Sequence, residues 1–312
     1  MQRSNAIARP SDSSAGTPYT RRASFLPRDN YYVGAQDEIP AHVFMAERTQ
    51  ALDPAGPTGF IVLDYRERIG SDYPATTPLI LARYAKIRAG ENLASRFKAS
   101  GEIYYVIRGS GQTCSGADTI HWKMGDVFCF PGGEESVHRA GNEDCLLWVL
   151  TNEPLLSFEN VEPPRPGAGP ILPVHYLAEE IHLNLVHTQE VEARKGAASN
   201  GNGAFIFSSE SFMEKRRLPF PTLMLALNSL VPGNDQRPHL HNAVALTLVL
   251  ESENCYSMIN GKRYDWLDLA AVITPPGQVH SHHNKGSKLT RFLIAQDSGM
   301  HYYCRTSGFS YA

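Results

Sequence analysis

The chain has 312 residues, 42% of them apolar and 20% charged, with a formal net charge of −3. That length accommodates one large domain or two ordinary ones, and the mixture is that of a globular protein rather than a disordered one. The charge excludes a broad basic surface for nucleic acid or anionic lipid, and no apolar run reaches the roughly 18–20 residues of a membrane span. The opening MQRSNAIARPSDSSAG is charged but lacks an apolar segment, so it does not read as a secretory signal. Cys114, Cys129, Cys145, Cys255 and Cys304 are scattered, odd in number and without a CxxC pair. This is the usage of free thiols in a reducing compartment, and a soluble cytoplasmic protein is expected.

In chain order, residues 1–55 read as an N-terminal arm, rich at first in Ser, Arg, Pro and Thr, with few large apolar groups before Phe25 and Leu26. An arm of this kind orders by packing on a partner, and exchange between subunits is one form of that. From Phe60 the runs FIVLDY, LILARYAKI, EIYYVIRG, DVFCF and LLWVLT alternate with Gly, Pro and Asn, which is strand punctuation. They define a first β domain over 56–160, closed by the Pro/Gly stretch EPPRPGAGP. HYLAEEIHLNLVHTQEVEARK, ending at Gly196, predicts a helix within a linker over 161–204. Strand-like runs then resume (AFIF, TLMLALNSLV, VALTLVL, CYSMI, AVIT, TRFLIAQ) and define a second β domain over 205–312.

The two β segments can be laid on each other. Gly90 falls on Gly233, Arg96 and Lys98 on His239 and His241, Glu102 on Ala245, and Gly125 on Asp268. Pro131 and Gly133 fall on Pro275 and Gly277, and His138 with Asn142 on His280 with Asn284. This regularity predicts an internal duplication.

The residues match the pattern G-x5-H-x-H-x3,4-E-x6-G followed by G-x5-P-x-G-x2-H-x3-N. The second segment carries it as GNDQRPHLHNAVA and PPGQVHSHHN; the first as GENLASRFKASGEIYYVIRG and GDVFCFPGGEESVHRAGN, its histidine two places late. The chain therefore resembles the cupin superfamily, and within it the bicupins of the gentisate and salicylate 1,2-dioxygenase type, which also have Ala where other cupins have Glu. The resemblance covers about residues 60–155 and 205–300. It implies an all-β fold of two tandem cupin barrels (double-stranded β-helix, jelly-roll) with a partly helical linker. It also implies a homo-oligomer, dimer or tetramer. In that family the working iron usually sits in the N-terminal cupin; here the histidines stand in the C-terminal one.

Strand alternation supports the motif independently. His239 and His241 point the same way with Leu240 between them, and His280 returns on another strand after the Pro275–Gly277 turn. Three imidazoles on one side of a first-row divalent ion leave three octahedral positions free. With Ala245 in place of Glu the site adds no negative charge, which favours a chelating anionic substrate and leaves room for a flat ring. In the first segment Arg96 and Lys98 do not coordinate a metal, so that barrel is expected to be metal-free, with Glu102 paired to one of the two cations and His138 a hydrogen-bonded core residue.

Further candidates are His282 as a proton relay or pocket residue, Arg237 as a carboxylate anchor by alternation, and Asn228 and Gln296 as polar pocket residues in apolar strands. His42, His121, His182 and His187 read as surface or packing residues. The expected function is an Fe(II)-dependent extradiol-type dioxygenase that opens the ring of a hydroxylated aromatic acid (gentisate, salicylate or substituted salicylate) with O2. The alternatives are hydroquinone-type ring cleavage, a non-redox metal cupin acting as lyase or isomerase, and a non-catalytic small-molecule-binding cupin.

Overall fold

Short β-branched and aromatic runs separated by turn residues fold into four antiparallel sheets, facing each other in two pairs. The computed structural model describes residues 17–23, 25, 38–196, 202–210, 218–306 and 308–312. The chain divides into two units, residues 1–38 and 39–312. In the first, the helix Pro18–Arg22 is capped by Thr17, whose side chain accepts from the Thr20 amide; residues 1–16, 24 and 26–37 of the predicted arm lie outside the described residues. Residues 39–55, which the sequence reading placed in the arm, fold with the second unit. His42–Val43 pairs with Ala271–Thr274, and the helix Met45–Leu52 packs near Gly59–Val62.

The larger sheet of the first barrel carries, in spatial order, Val174–Tyr176, Val127–Pro131, Gly101–Arg108, Cys145–Thr151, Leu81–Ile87 and Gly59–Val62. The smaller carries Asn92–Ser95, Ser136–Ala140, Ser110–Ser115 and Asp118–Lys123. In the second barrel the larger sheet runs His42–Val43, Ala271–Thr274, Ala245–Glu251, Thr290–Gln296, Met224–Leu230 and Gly203–Ile206. The smaller runs Lys262–Asp265, Cys255–Ile259, His280–Asn284, His239–His241 and Phe309–Tyr311. The tandem-barrel architecture expected from the sequence is therefore present.

Leu81–Ile87 and Cys145–Thr151 in the first larger sheet and Met224–Leu230 in the second are buried along their whole length, because both faces of these sheets are covered. One face packs barrel against barrel: Tyr84, Trp148, Leu146 and Leu150 share a core with Leu225, Leu246, Leu248 and Leu293, and the Tyr84 hydroxyl donates to the Leu269 carbonyl. The other face lines each barrel interior. The first interior is filled by Phe97, Tyr104, Phe128, Phe130 and Trp122. The second holds a smaller plug of Leu230, Val249, Trp266 and Phe292. That difference leaves the other end of the second barrel open.

The predicted linker helix is Ala178–Arg194, with Glu179 and Glu180 in its first turn and Arg194 in its last, each complementing the helix dipole. It packs on Gly203–Ile206. Among the described residues no helix is long and apolar enough to cross a membrane, and all five cysteines are free thiols.

Candidate metal centre

The strand His239–His241 is only three residues long, and alternation puts both histidine side chains into the barrel with Leu240 between them partly exposed. His280 is the antiparallel partner of His239 on the neighbouring strand. Gly277 makes that return possible: at φ 70° it takes the left-handed turn, and its amide donates to the His241 carbonyl at 2.8 Å. One ring nitrogen from each of His239, His241 and His280 lies within 4.8 Å of the others.

The second nitrogen of each ring fixes the tautomer. Nδ1 of His239 lies 3.0 Å from the Arg237 carbonyl, that of His241 2.7 Å from Ala243, and that of His280 2.9 Å from Gln278. A carbonyl can only accept, so each Nδ1 carries the hydrogen and each Nε2 keeps a free lone pair, as in histidines that ligate metals. Burial lowers all three pKa values, that of His241 to about 4 and that of His280 to about 3, so the rings are neutral at pH 7. Three converging neutral imidazoles are a donor set that fits a first-row divalent ion.

These rings open into a cavity of about 260 Å³. Ala245, Asn228, Gln296 and His282 line it, as the sequence reading expected of pocket residues. Ala245 stands opposite Gln296 in register, so an amide rather than a carboxylate flanks the rings there. Ala245→Glu is expected to raise metal affinity and to abolish binding of a bidentate acid, because a fourth protein ligand would occupy a position that three imidazoles leave open; metal titration and ligand titration of the variant check this.

Arg237 departs from expectation. It is exposed and lies outside the cavity lining, with its guanidinium 4.2 Å over the Tyr311 ring. Pro238 ends the alternation on which the expectation rested: Arg237 precedes the strand rather than lying in it. Sequence reasoning missed Asn202, Gln236, Phe309 and Tyr311, which also line the cavity. Asn202, turned so that its nitrogen donates to the Ser229 and Gly203 carbonyls, presents its oxygen 3.1 Å from Gln236 Nε2. These residues come from the linker end, a loop and the last strand, where no motif points to a pocket. Phe309 and Tyr311 carried one faint signal, their two-residue spacing.

His282 is 2% exposed, and its Nδ1 is 2.9 Å from Ser257 Oγ, which also accepts from the Trp266 indole at 2.8 Å. The first barrel repeats this chain as His138, Thr113 and Trp122, with distances of 2.8 and 2.9 Å. His138 therefore corresponds to His282, not to His280, and each pair is separated by 144 positions. Extending that offset puts Ser95 at the place of His239, Phe97 at His241 and Ser136 at His280; Ser95 and Ser136 are register partners just as the two histidines are. The sequence alignment of Arg96 and Lys98 with the histidines was one residue out of register. A one-residue slip changes the face: Arg96 is exposed and donates to the Gly133 carbonyl, and Lys98 pairs with Glu162.

The expected Glu102 ion pair is accordingly not formed. Glu102 is fully buried, accepts from the Tyr104 and Ser136 hydroxyls, and has one oxygen without a partner. Burial, offset only in part by those two bonds and the charge of Arg83, raises its pKa to about 8. Of the remaining histidines, His121, His182 and His187 are exposed and His42 stacks on Tyr65.

No family model matches the chain. A stretch of 135 residues is 30% identical to the 5-aminosalicylate 1,2-dioxygenase of a Comamonas species, covering 40% of this chain and 36% of that protein. The match thus spans about a third of the relative's length. The salicylate 1,2-dioxygenase of Pseudaminobacter salicylatoxidans superposes with a TM-score of 0.74 at 14% identity, over 96% of this chain and 94% of that one. Its adduct with gentisate superposes with a TM-score of 0.74 at 13% identity, over 98% and 96%. A variant of Bacillus subtilis oxalate decarboxylase matches with a TM-score of 0.55 at 14% identity, over 82% and 76%. These likenesses establish the fold as a tandem pair of cupin barrels.

Proposed function

We propose that this bicupin is a non-haem Fe(II) dioxygenase that opens the ring of a hydroxylated aromatic acid, with His239, His241 and His280 as the metal ligands. The observation that carries the reading is the tautomer lock: three buried imidazoles, each with Nδ1 held by a backbone carbonyl, converge with no carboxylate among the described residues beside them. A neutral ligand set leaves a divalent ion its full charge, which favours a substrate chelating through a carboxylate and the adjacent ring oxygen. The sequence match to an aminosalicylate dioxygenase and the fold shared with a salicylate dioxygenase support the same chemistry.

Bound iron would supply the electronic path between a chelated ring and O2. The chain's own residues then have definable tasks. The aliphatic wall of Ile206, Met224, Ala226 and Ile294 keeps water away and holds a flat ring, and Ala245 leaves it space. Asn228 and Gln296 orient polar substituents, and His282 is the proton relay beside them. Both oxygen atoms enter the product, and the bond broken joins the carboxyl-bearing and hydroxyl-bearing carbons. One hydroxyl on the ring is enough for this, so extradiol is only a loose description. A homodimer or homotetramer in a reducing cytoplasm completes the reading, in keeping with five free thiols.

The test is anaerobic reconstitution with Fe(II), followed by oxygen-electrode screening with gentisate, salicylates, hydroxynaphthoates and hydroquinone. Stoichiometric O2 uptake with one aromatic acid, and a new absorbance from the ring-opened product, is the expected result. Protein carrying one iron per chain that consumes no O2 with any of them would overturn the reading.

A further inference from the structure

The last strand, Phe309–Tyr311, lies at the edge of the smaller sheet among the described residues, where it pairs with His239–His241. Its register sets Phe309 against His241 and Tyr311 against His239, so it lies directly beside the strand that carries two of the three histidines. The pairing is extended at both ends by the Asn242 amide donating to the Gly308 carbonyl at 2.9 Å and the Ala312 amide donating to the Pro238 carbonyl at 3.1 Å. Both aromatic rings line the cavity. They are also 49% and 39% exposed, so both rings stand at the rim of the pocket, partly in contact with solvent.

Phe309 lies with its ring centroid 5.0 Å from that of His239, and Tyr311 stands edge-on to Phe309 at 5.1 Å. Across the cavity the larger sheet presents Ile206, Met224 and Ile294. An aromatic wall facing an aliphatic one, beside a metal-ligand set, is the geometry that selects a flat ring over a small open-chain acid. Arg237 lies over the Tyr311 ring from outside, so it braces the strap rather than the ligand.

We propose that the strand Phe309–Tyr311 is a specificity strap: the substrate ring packs against Phe309 and Tyr311, and Arg237 is a positioning residue that holds the strap through Tyr311. This rests on the aromatic-acid reading above and deepens it, because it assigns ring selection to the strap and chelation to the metal.

The experiment uses the full chain loaded with Fe(II) under anaerobic conditions, titrated calorimetrically with salicylate and with glycolate, a non-aromatic hydroxy acid of the same chelating type. Phe309→Ala and Tyr311→Ala should each weaken salicylate about tenfold while glycolate stays within about twofold and iron per chain is unchanged. Phe309→Leu, which keeps apolar bulk, should lie between. Arg237→Gln should raise KM about threefold at constant kcat, with recovery in Arg237→Lys, which restores the cation over the ring. Unchanged salicylate affinity in both alanine variants overturns the strap. A parallel fall for both acids with loss of iron also overturns it, and leaves the strand a purely structural support of His239. Wild-type protein that binds glycolate but not salicylate overturns the aromatic-acid reading, and the strap with it; that failure is recognisable because it needs no substitution.

Discussion

His239→Ala is expected, on the proposed dioxygenase function, to reduce bound iron from about one per chain to less than about a tenth, and to lower ring-opening activity at least 1,000-fold, on the order of losing one of three ligands outright. The fold should survive, because His239 lies at the open end of the second barrel and away from its apolar plug of Leu230, Val249, Trp266 and Phe292. The control is His138→Ala. His138 is fully buried in the first barrel, where Ser95, Phe97 and Ser136 occupy the places of the three histidines. Removing it leaves Thr113 with only the Trp122 indole of its two side-chain partners and opens a void, so stability should fall by about 2–4 kcal/mol with iron content unchanged. Metal analysis beside urea unfolding separates the two results. Full iron in the His239 variant would sink the ligand assignment.

Glu102→Gln should make the protein more stable at alkaline pH than the parent. The sign follows from linkage. Burial holds the folded Glu102 pKa at about 8 against 4.5 for the ordinary carboxyl, so the folded state binds more protons than the unfolded chain between those values. This carboxyl therefore favours folding least at high pH: stability is greatest below about pH 4.5 and is lost as pH rises towards 8. Gln cannot ionise, and the Tyr104 and Ser136 hydroxyls can still bond to its amide. The variant should match the parent near pH 4.5 and exceed it by on the order of 3 kcal/mol at pH 8. Urea unfolding at pH 5, 6, 7 and 8 reads the difference as a slope. Parallel stability curves for the two proteins would show that Glu102 is not protonated in the folded state.

Much of the molecule was determined by local sequence. Apolar runs between turn residues specify strands whatever their surroundings, and two such sets around one amphipathic stretch specify two barrels and a connecting helix. The three histidines are equally local: H-x-H within one strand fixes two side chains on one face, and a Pro-x-Gly turn returns the third. Asn228 and Gln296 followed because polar residues in apolar strands need a pocket to explain them, and Ala245 because it stands where the motif has Glu.

Tertiary structure decided the matters of register and of closure. Arg96 and Lys98 were aligned with the histidines because Gly90 resembles Gly233, yet pairing Ser95 with Ser136 shows the slip. One residue reverses a side chain's face, and a turn of variable length between landmarks hides that residue from a linear comparison. The environment of Glu102 is decided the same way, since no local feature tells a carboxyl facing Tyr104 from one facing a cation. The cavity's remaining walls come from positions far apart in the chain, Asn202 at the linker end and Phe309 and Tyr311 near residue 310. Phe309 and Tyr311 meet the histidines only because the last strand adds to the edge of the smaller sheet. Backbone pairing of that kind is open to almost any residue that can extend, so the sequence carries no mark of which edge it will join.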